Sequence, residues 1–239
     1  MKIFRLIRLN MLSENRFTRY LIYASGEIIL VVIGILIALQ INNWNENKKG
    51  KLFEREMLTQ IQENLKADKE KLIEINASCS KAIKSADKIL GIGPEEPIPD
   101  SIRYWLAYFI QFERFQPITN SYEALKSRGL DQVSNKELRL LLGEYYDDEI
   151  SHTIKSVGDI EKSFNDEWVP IMEQFIVDFK FKEFLIVSDP TIFRKPSKAR
   201  NILILNKDNY NGAINRVSSA ISSVERLEKI LTESLERQN

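Results

Sequence analysis

The sequence predicts an all-α protein in which a single N-terminal transmembrane helix is followed by a helical-bundle domain outside the membrane. An apolar run at 21–41 and helical periodicities at both ends of the remaining chain predict this class. A bilayer core about 30 Å thick needs roughly twenty apolar helical residues to be crossed. The predicted order is a basic amphipathic segment at 1–20, the transmembrane helix at 21–41, a polar linker at 42–50 and the helical-bundle domain at 51–239.

The N-terminal segment combines basic and apolar side chains, as does an amphipathic helix on an anionic cytoplasmic leaflet. Its basic residues are Lys2, Arg5, Arg8, Arg16 and Arg19, and those soon after the span are Lys48, Lys49, Lys51 and Arg55. Positive residues favour the cytoplasmic side of a span. The sequence therefore predicts a cytoplasmic N-terminus and a C-terminal domain on the opposite side of the membrane.

The span at 21–41 contains one charged residue, Glu27. A cleaved signal peptide has an apolar run of only about 7–15 residues and a small-x-small cleavage site. The run here is longer, and the residues that follow it offer no Ala-x-Ala site. Gly26 and Gly34 argue against the remaining alternative, a buried core helix. The segment is therefore interpreted as an uncleaved signal-anchor.

The stretch 51–90 predicts the first long helix of the domain, because its apolar positions follow alternating steps of three and four. Such a seam marks the face of a helical bundle or coiled coil. Asp68 is the one polar residue in this register. The apolar members are Leu58, Ile61, Leu65, Leu72, Ile75, Cys79, Ala82, Ala86 and Ile89. A Gly- and Pro-rich connector at 91–99 ends the helix.

Shorter helices are predicted next. Asp100 is expected to cap a short aromatic-rich helix, and a helix at 121–128 is expected to stop at Gly129. Ser134 and Glu137 have the spacing of a capping box, in which Ser134 is the cap and Glu137 its reciprocal partner.

The capping box opens a long amphipathic run at 138–168, which Pro170 is expected to kink or end. The stretch 177–187 fits either a short strand or a helix. The last helix is predicted at 208–237, with a seam of Tyr210, Ile214, Val217, Ile221, Val224, Leu231 and Leu235. Two long helices with comparable seams most simply pair antiparallel, and the middle helices then complete the bundle.

Two stretches resemble a known family. Residues 26–46 read GEIILVVIGILIALQINNWNE, and residues 121–146 read SYEALKSRGLDQVSNKELRLLLGEYY. Together they are similar to a family of uncharacterised single-span proteins of Gram-negative bacteria, known as a domain of unknown function. The resemblance implies an integral protein of the bacterial inner membrane. It supplies no reaction, substrate or catalytic residue.

Glu27, Gly34 and Ala38 form the candidate functional site, because their spacing places them on one stripe of the span. Gly34 and Ala38 form a small-xxx-small pair, which permits close approach of a second helix. An acid inside a membrane is a functional candidate by default. The stripe therefore predicts contact with a protein partner or a second copy, while passive snorkelling of Glu27 toward Arg19 is the plain alternative. The layout also resembles that of proton-coupled stator proteins, which makes ion coupling through Glu27 the alternative function.

The sequence offers no enzyme site. Its only histidine, His152, lies in a single E-x-x-H pair with Glu149, whereas di-iron bundles need two such motifs. Cys79 falls on the apolar seam, and no Gly-x-Ser-x-Gly or Gly-Lys-Ser/Thr motif is present. No enzymatic activity, metal or cofactor is therefore expected.

Composition also limits the partners. The 34 Lys and Arg residues balance the 34 Asp and Glu residues, so nucleic acid is not an expected partner. The aromatic side chains between 104 and 115 are dense, and core packing is the default interpretation; a partner groove or a membrane-facing patch is the alternative. The leading interpretation is a membrane-anchored helical module for interaction, scaffolding or sensing, with the lipid bilayer and another protein as partners.

Overall fold

The computed structural model describes residues 17–237. Residues 1–16 of the predicted amphipathic segment therefore lie outside the described residues. The chain divides into two compact units, Met1–Phe53 and Glu54–Asn239. In the first unit, the described residues belong to the N-terminal part of helix α1, Phe17–Leu90. The second unit contains the rest of α1 and all later elements. It is predominantly helical, which confirms the predicted all-α class.

The later part of α1 carries the predicted seam, and this prediction is confirmed. Leu58, Ile61, Leu65 and Leu72 are all 0 % exposed. The remaining apolar seam positions are also buried, up to Ile89. Full burial of a Leu or Ile side chain contributes about 1.5–3 kcal/mol, so the seam supplies much of the stability of this unit.

Helix α7, Lys198–Glu236, pairs antiparallel with α1 as predicted. Gln62 of α1 donates to Thr232 over 3.0 Å, and Asn76 donates to Ser218 over 3.0 Å, so partners move back along α7 as α1 advances. The helix begins earlier than the predicted start at 208, because Ser197 caps it by accepting from the Arg200 backbone N–H.

The buried seam of α7 differs from the predicted one. Ala213, Ala220 and Leu227 are buried, whereas Ile214 and Ile221 are only half-buried. Both seams pass through Tyr210, Val217, Val224 and Leu231. Between these residues the structure buries the positions three residues on, which include the alanines, and not those four residues on, which include the larger isoleucines. Leu235 is half-buried as well, and Ser234 occupies its place on the seam.

Short helices and one hairpin fill the remaining space. Their bounds are α2 Ile102–Ile110, α3 Asn120–Arg128, α4 Lys136–Gly143, α5 Ile150–Ser163 and α6 Val169–Phe175. Strands β1, Ile176–Lys180, and β2, Phe184–Val187, pair antiparallel and resolve the ambiguous stretch 177–187 as a hairpin. Short 3₁₀ turns at Leu130–Gln132 and Pro190–Phe193 complete the path.

The predicted helix caps are partly wrong. Asp100 does not cap α2, because Ser101 occupies the cap position and makes no side-chain capping bond. The capping box is also wrong: Asn135 caps α4 by accepting from the backbone N–H groups of Glu137 and Leu138, at 3.0 and 3.2 Å. The predicted stop at Gly129 is confirmed, since its φ of 101° lies in the left-handed region that glycine favours.

The long run from α4 to α6 is helical throughout. Two π-helical segments, Glu144–Glu149 and Phe164–Trp168, join α4, α5 and α6. Pro170 neither ends nor breaks this run, because it lies in the first turn of α6, where a missing N–H is tolerated.

Candidate functional site

Glu27, Gly34 and Ala38 lie on α1 and share one face. An α-helix turns about 100° per residue, so the three positions lie within about 40° of one another around the helix axis. All three side-chain positions are exposed. A Cβ added to Gly34 would meet no atom within 4 Å, so the described chain leaves room beside the helix for another group. The structure thus brings the predicted stripe together, while its contact with a second helix stays a prediction.

The predicted span is apolar and exposed. Every residue from 25 to 49 is exposed, and Leu30 reaches 74 %. An 18-residue window of this helix has a mean hydropathy of 2.3, and none of it is buried. By length and composition, this helix could cross a membrane.

The exit from the span at 42–50 contains interface-type side chains. Trp44 is 65 % exposed, and the Lys48 ammonium lies 5.7 Å from the centre of its ring. Lys49 pairs with Glu46 at 3.0 Å on the surface. An amphipathic aromatic beside lysines is typical of the headgroup level of a bilayer.

The later part of α1 holds two carboxylates on its buried seam. Glu54 is 1 % exposed and accepts from the backbone N–H of Ser134 at 2.7 Å and from its hydroxyl at 2.8 Å. Asp68 is 3 % exposed, and its two oxygens accept from the backbone N–H of Ile118 at 3.2 and 3.3 Å. Each carboxylate therefore holds the loop that leads into a short helix, α4 or α3.

Two tyrosines lie close to the charge of Asp68. Burial raises the pKa of Asp68 to about 6, and the Ile118 N–H opposes that rise. Burial and the Asp68 charge raise the pKa of both Tyr145 and Tyr146. The hydroxyls of Tyr145 and Tyr146 and one oxygen of Glu149 are buried without a hydrogen-bond partner among the described residues.

The first π-helical segment carries both tyrosines and connects them to the surface. The ring of Tyr146 stacks on Tyr122 with centroids 4.4 Å apart. The Tyr122 hydroxyl donates to Asp147 at 2.9 Å, and Lys126 donates to the other oxygen at 2.7 Å. The hydrogen bond from Lys126 lowers the pKa of Asp147. A π-helical insertion often marks a functional position. Here Tyr122 and Lys126 satisfy Asp147, whereas the hydroxyls of Tyr145 and Tyr146 have no partner among the described residues.

The other chemical candidates are isolated. His152 is 51 % exposed and lies 3.2 Å from Asp148 of its own helix. Cys79 is buried, and desolvation raises the pKa of its thiol to about 12, so it is a packing residue rather than a nucleophile. Within residues 17–237, no group of three or more His, Cys, Asp or Glu side chains could hold a metal ion.

Sequence reasoning missed the role of Glu54, because it precedes the first apolar seam residue that the pattern identified. Its position four residues before Leu58 continues the alternating register, and this signal could have found it. The dense aromatics at 104–115 are only partly used for core packing. Phe109 and Phe115 are buried, whereas Tyr104 is 40 % exposed and Trp105 is half-buried.

The fold defines a class of mostly helical proteins whose first long helix begins with an exposed apolar stretch. A family model described as a family of unknown function, DUF6090, matches residues 27–91. The match covers most of the predicted span, its exit and the buried seam of α1, but not the second resembling stretch at 121–146. No curated protein and no solved structure matches the chain.

Proposed function

We propose that this protein is a membrane-anchored helical module that binds or scaffolds a protein partner and has no enzymatic activity of its own. Its span at 21–41 lies in a bacterial inner membrane, with the N-terminus in the cytoplasm and the helical domain in the periplasm. Glu27, Gly34 and Ala38 face another transmembrane helix, from a second copy or from a different protein.

The contrast in exposure along α1 supports this proposal. From 25 to 41 nearly all side chains are apolar and all are exposed, whereas the later seam is buried. Apolar surface in water costs about 25 cal/mol per Å², so a continuous exposed run of this length requires a cover. Lipid is the simplest cover, because a helix satisfies its own backbone hydrogen bonds inside a bilayer.

The stripe supports contact between spans rather than contact with lipid alone. Lipid tails are as apolar as leucine, so helices associate in membranes through close packing and interhelical hydrogen bonds. Gly34 and Ala38 permit the close approach, and Glu27 on the same face can share a hydrogen bond. Ion coupling through Glu27 is the alternative function, and it predicts a different response to Glu27→Gln.

An in-membrane two-hybrid assay tests the interaction. Gly34→Ile should weaken association at least fivefold, because the added bulk separates the helices. Gly26→Ile makes the same chemical change about 80° around the helix from Gly34 and about 100° from Glu27, and it should leave association unchanged. Glu27→Gln should preserve association, since the amide still forms hydrogen bonds. Equal losses for Gly34→Ile and Gly26→Ile would refute an interface at the stripe.

Fusions at the C-terminus test the orientation. Alkaline phosphatase is active only outside the cytoplasm, so its fusion should be active, whereas a fused green fluorescent protein should be dark. The reverse pattern would refute the periplasmic location. A Glu27→Gln variant that associates normally and reaches the membrane, but loses the cellular phenotype of the wild type, would favour ion coupling over scaffolding.

A further inference from the structure

Helices α1 and α2 bring cations and aromatic rings to one surface of the second unit. This cation–aromatic face consists of Lys81, Lys88, Arg103, Tyr104, Trp105 and Tyr108. The Lys81 ammonium lies 3.3 Å from the centre of the Tyr108 ring, and the Lys88 ammonium lies 5.4 Å from the centre of the Trp105 ring. The Arg103 guanidinium lies 4.9 Å from the centre of Tyr104.

The cations of this face have no acidic partner in the part of the chain that the structure describes. Other cations of the same unit do pair: Lys71 contacts Glu74 at 2.9 Å, and Lys69 contacts Glu228 at 3.0 Å. Lys81, Lys88 and Arg103 form no ion pair within 4.0 Å among residues 17–237. The Nε of Arg103 is also buried without a hydrogen-bond partner among the described residues.

The acids nearest in sequence do not neutralise the face. Asp87 pairs with Lys207 of α7, and Glu96 accepts from the backbone N–H of Gly93 at 3.1 Å. Glu95 and Asp100 are exposed in the connector. The face therefore presents positive charge held over aromatic rings.

The side-chain types favour a protein over a bilayer as the occupant. Trp, Tyr and Arg are the residues that most often carry the binding energy of protein interfaces. A helix that binds a bilayer through its surface presents a continuous apolar side, in which Leu accompanies Trp and Phe, in addition to its basic residues. The aliphatic residues of α2, Ile102, Leu106 and Ile110, are all buried in the domain.

The spacing of the lysines limits the partner further. Lys81 and Lys88 are two helical turns apart on α1, which corresponds to about 10.5 Å along its axis. Two carboxylates at positions i and i+7 of a helix have the same separation. A row of acids along one face of a partner helix would therefore complement both lysines at once.

We infer that the cation–aromatic face of α1 and α2 binds an acidic helical segment of a partner protein. Carboxylates of that segment bind Lys81 and Lys88, and its backbone packs against Trp105 and Tyr108. The inference rests on the proposed interaction role and names the surface and the chemistry of the partner.

Peptide binding to the full chain tests this. The protein is held in phosphatidylcholine nanodiscs at low salt, and the probe is a fluorescein-labelled, alanine-based helical peptide with four glutamates on one face. Its isomer carries the same four glutamates distributed around the helix. Fluorescence anisotropy should show that the one-face peptide binds at least fivefold more tightly than the isomer.

Two double variants give the matched comparison. Lys81→Gln with Lys88→Gln should weaken binding at least tenfold, because both carboxylate contacts are lost. Lys155→Gln with Lys162→Gln removes two exposed lysines that are also two turns apart, on α5, and should change binding less than twofold. Circular dichroism of both variants checks that they remain folded.

Three results would overturn the inference. The one-face peptide fails to bind at low salt, or both double variants weaken its binding equally, or phosphatidylglycerol vesicles co-sediment with the wild type through Lys81 and Lys88 while the peptide does not bind. The last result would assign the face to an anionic bilayer. Peptide binding tests the cation–aromatic face alone, whereas the two-hybrid assay and the fusions test the span. Failure of this inference is therefore distinguishable from failure of the proposed function.

Discussion

The two parts of helix α1 use the same secondary structure against different surroundings. From 25 to 41 nearly every residue is apolar, the exceptions being Ser25, Glu27 and Gln40, and all of these positions are exposed. From Leu58 to Ile89 the seam residues, which include Asp68, recur every three or four positions and are all buried, whereas Ile73 off the seam is 51 % exposed. The first part is also the more apolar one, because charged and amide side chains separate the seam positions of the second part. The arrangement of the polar residues around the helix decides whether protein or another apolar medium covers it.

The acids in the two parts of α1 also lie in different surroundings. Glu54 and Asp68 are buried because neighbouring loops supply N–H donors to them. Glu27 lies at an exposed position of the apolar stretch, where water is excluded if the helix is in a bilayer. The domain supplies donors to its own acids, and we propose that the face of α1 that carries Glu27, Gly34 and Ala38 contacts a second span.

Leucine-to-alanine substitutions should give the largest difference in stability between the two parts of α1. Leu65→Ala or Leu72→Ala should lower the free energy of unfolding of the domain by about 2–5 kcal/mol each, because both leave a cavity in a packed core. Leu30→Ala and Leu36→Ala remove the same atoms from exposed positions and should leave domain stability unchanged. Chemical denaturation of the full chain in uncharged micelles, followed by circular dichroism, measures both. Equal effects for the two pairs would contradict the division of α1.

Asp68 should make the domain less stable as the pH rises. Its pKa in the folded state is raised from 3.8 to about 6, so the folded state binds the proton more tightly than the unfolded state does. The contribution of Asp68 to stability is then greatest below about pH 4 and falls as the pH rises through 6, by at most about 3 kcal/mol.

Asp68→Asn should remove that dependence, because the amide does not ionise and can still accept from Ile118. The difference in unfolding free energy between the wild type and this variant should change between pH 4 and pH 7, in favour of the variant at pH 7. The exposed Asp159→Asn is the control, and its curve should run parallel to that of the wild type. A parallel curve for Asp68→Asn would show that this carboxyl is not desolvated.

Glu54 should have a smaller effect. Glu54→Ala should cost about 1–3 kcal/mol, because the N–H and hydroxyl of Ser134 lose their acceptor. Ser134→Ala removes only the hydroxyl and should cost about 0.5–1.5 kcal/mol. Thermal unfolding of both variants in micelles ranks them. A larger loss for Ser134→Ala would contradict the assignment of Glu54 as the anchor of this loop.

Local periodicity was enough to predict the fold wherever burial follows the sequence register. The α1 seam is correct throughout, and so is the antiparallel partner helix, since both depend on steps of three and four. The α7 seam was partly wrong because two alternations pass through Tyr210, Val217 and Val224. Periodicity alone does not decide between Ile214 and Ala213. The start of α7 was missed because Ser197 acts as a cap after Pro196, in a stretch that reads as a loop.

Tertiary contacts explain the rest. Ser134 has the sequence of a capping residue, but its hydroxyl donates to Glu54, which is remote in sequence, and Asn135 takes over the cap. The cation–aromatic face is likewise invisible along the chain, because Lys81 and Tyr108 meet only when α2 packs on α1. The stripe of Glu27, Gly34 and Ala38 depends on helical spacing alone, so the sequence was sufficient to place it on one face.

Alkaline carbonate extraction tests the central claim most directly, namely that a bilayer covers the exposed apolar part of α1. The wild type should stay in the membrane pellet. Ile33→Asp with Leu36→Asp places two acids near the centre of the span, at about 2.5–3.5 kcal/mol each, and should shift the protein to the supernatant. Asn43→Asp with Asn45→Asp adds the same charge at the polar exit and should leave the protein in the pellet. Extraction of the wild type into the supernatant would contradict the claim.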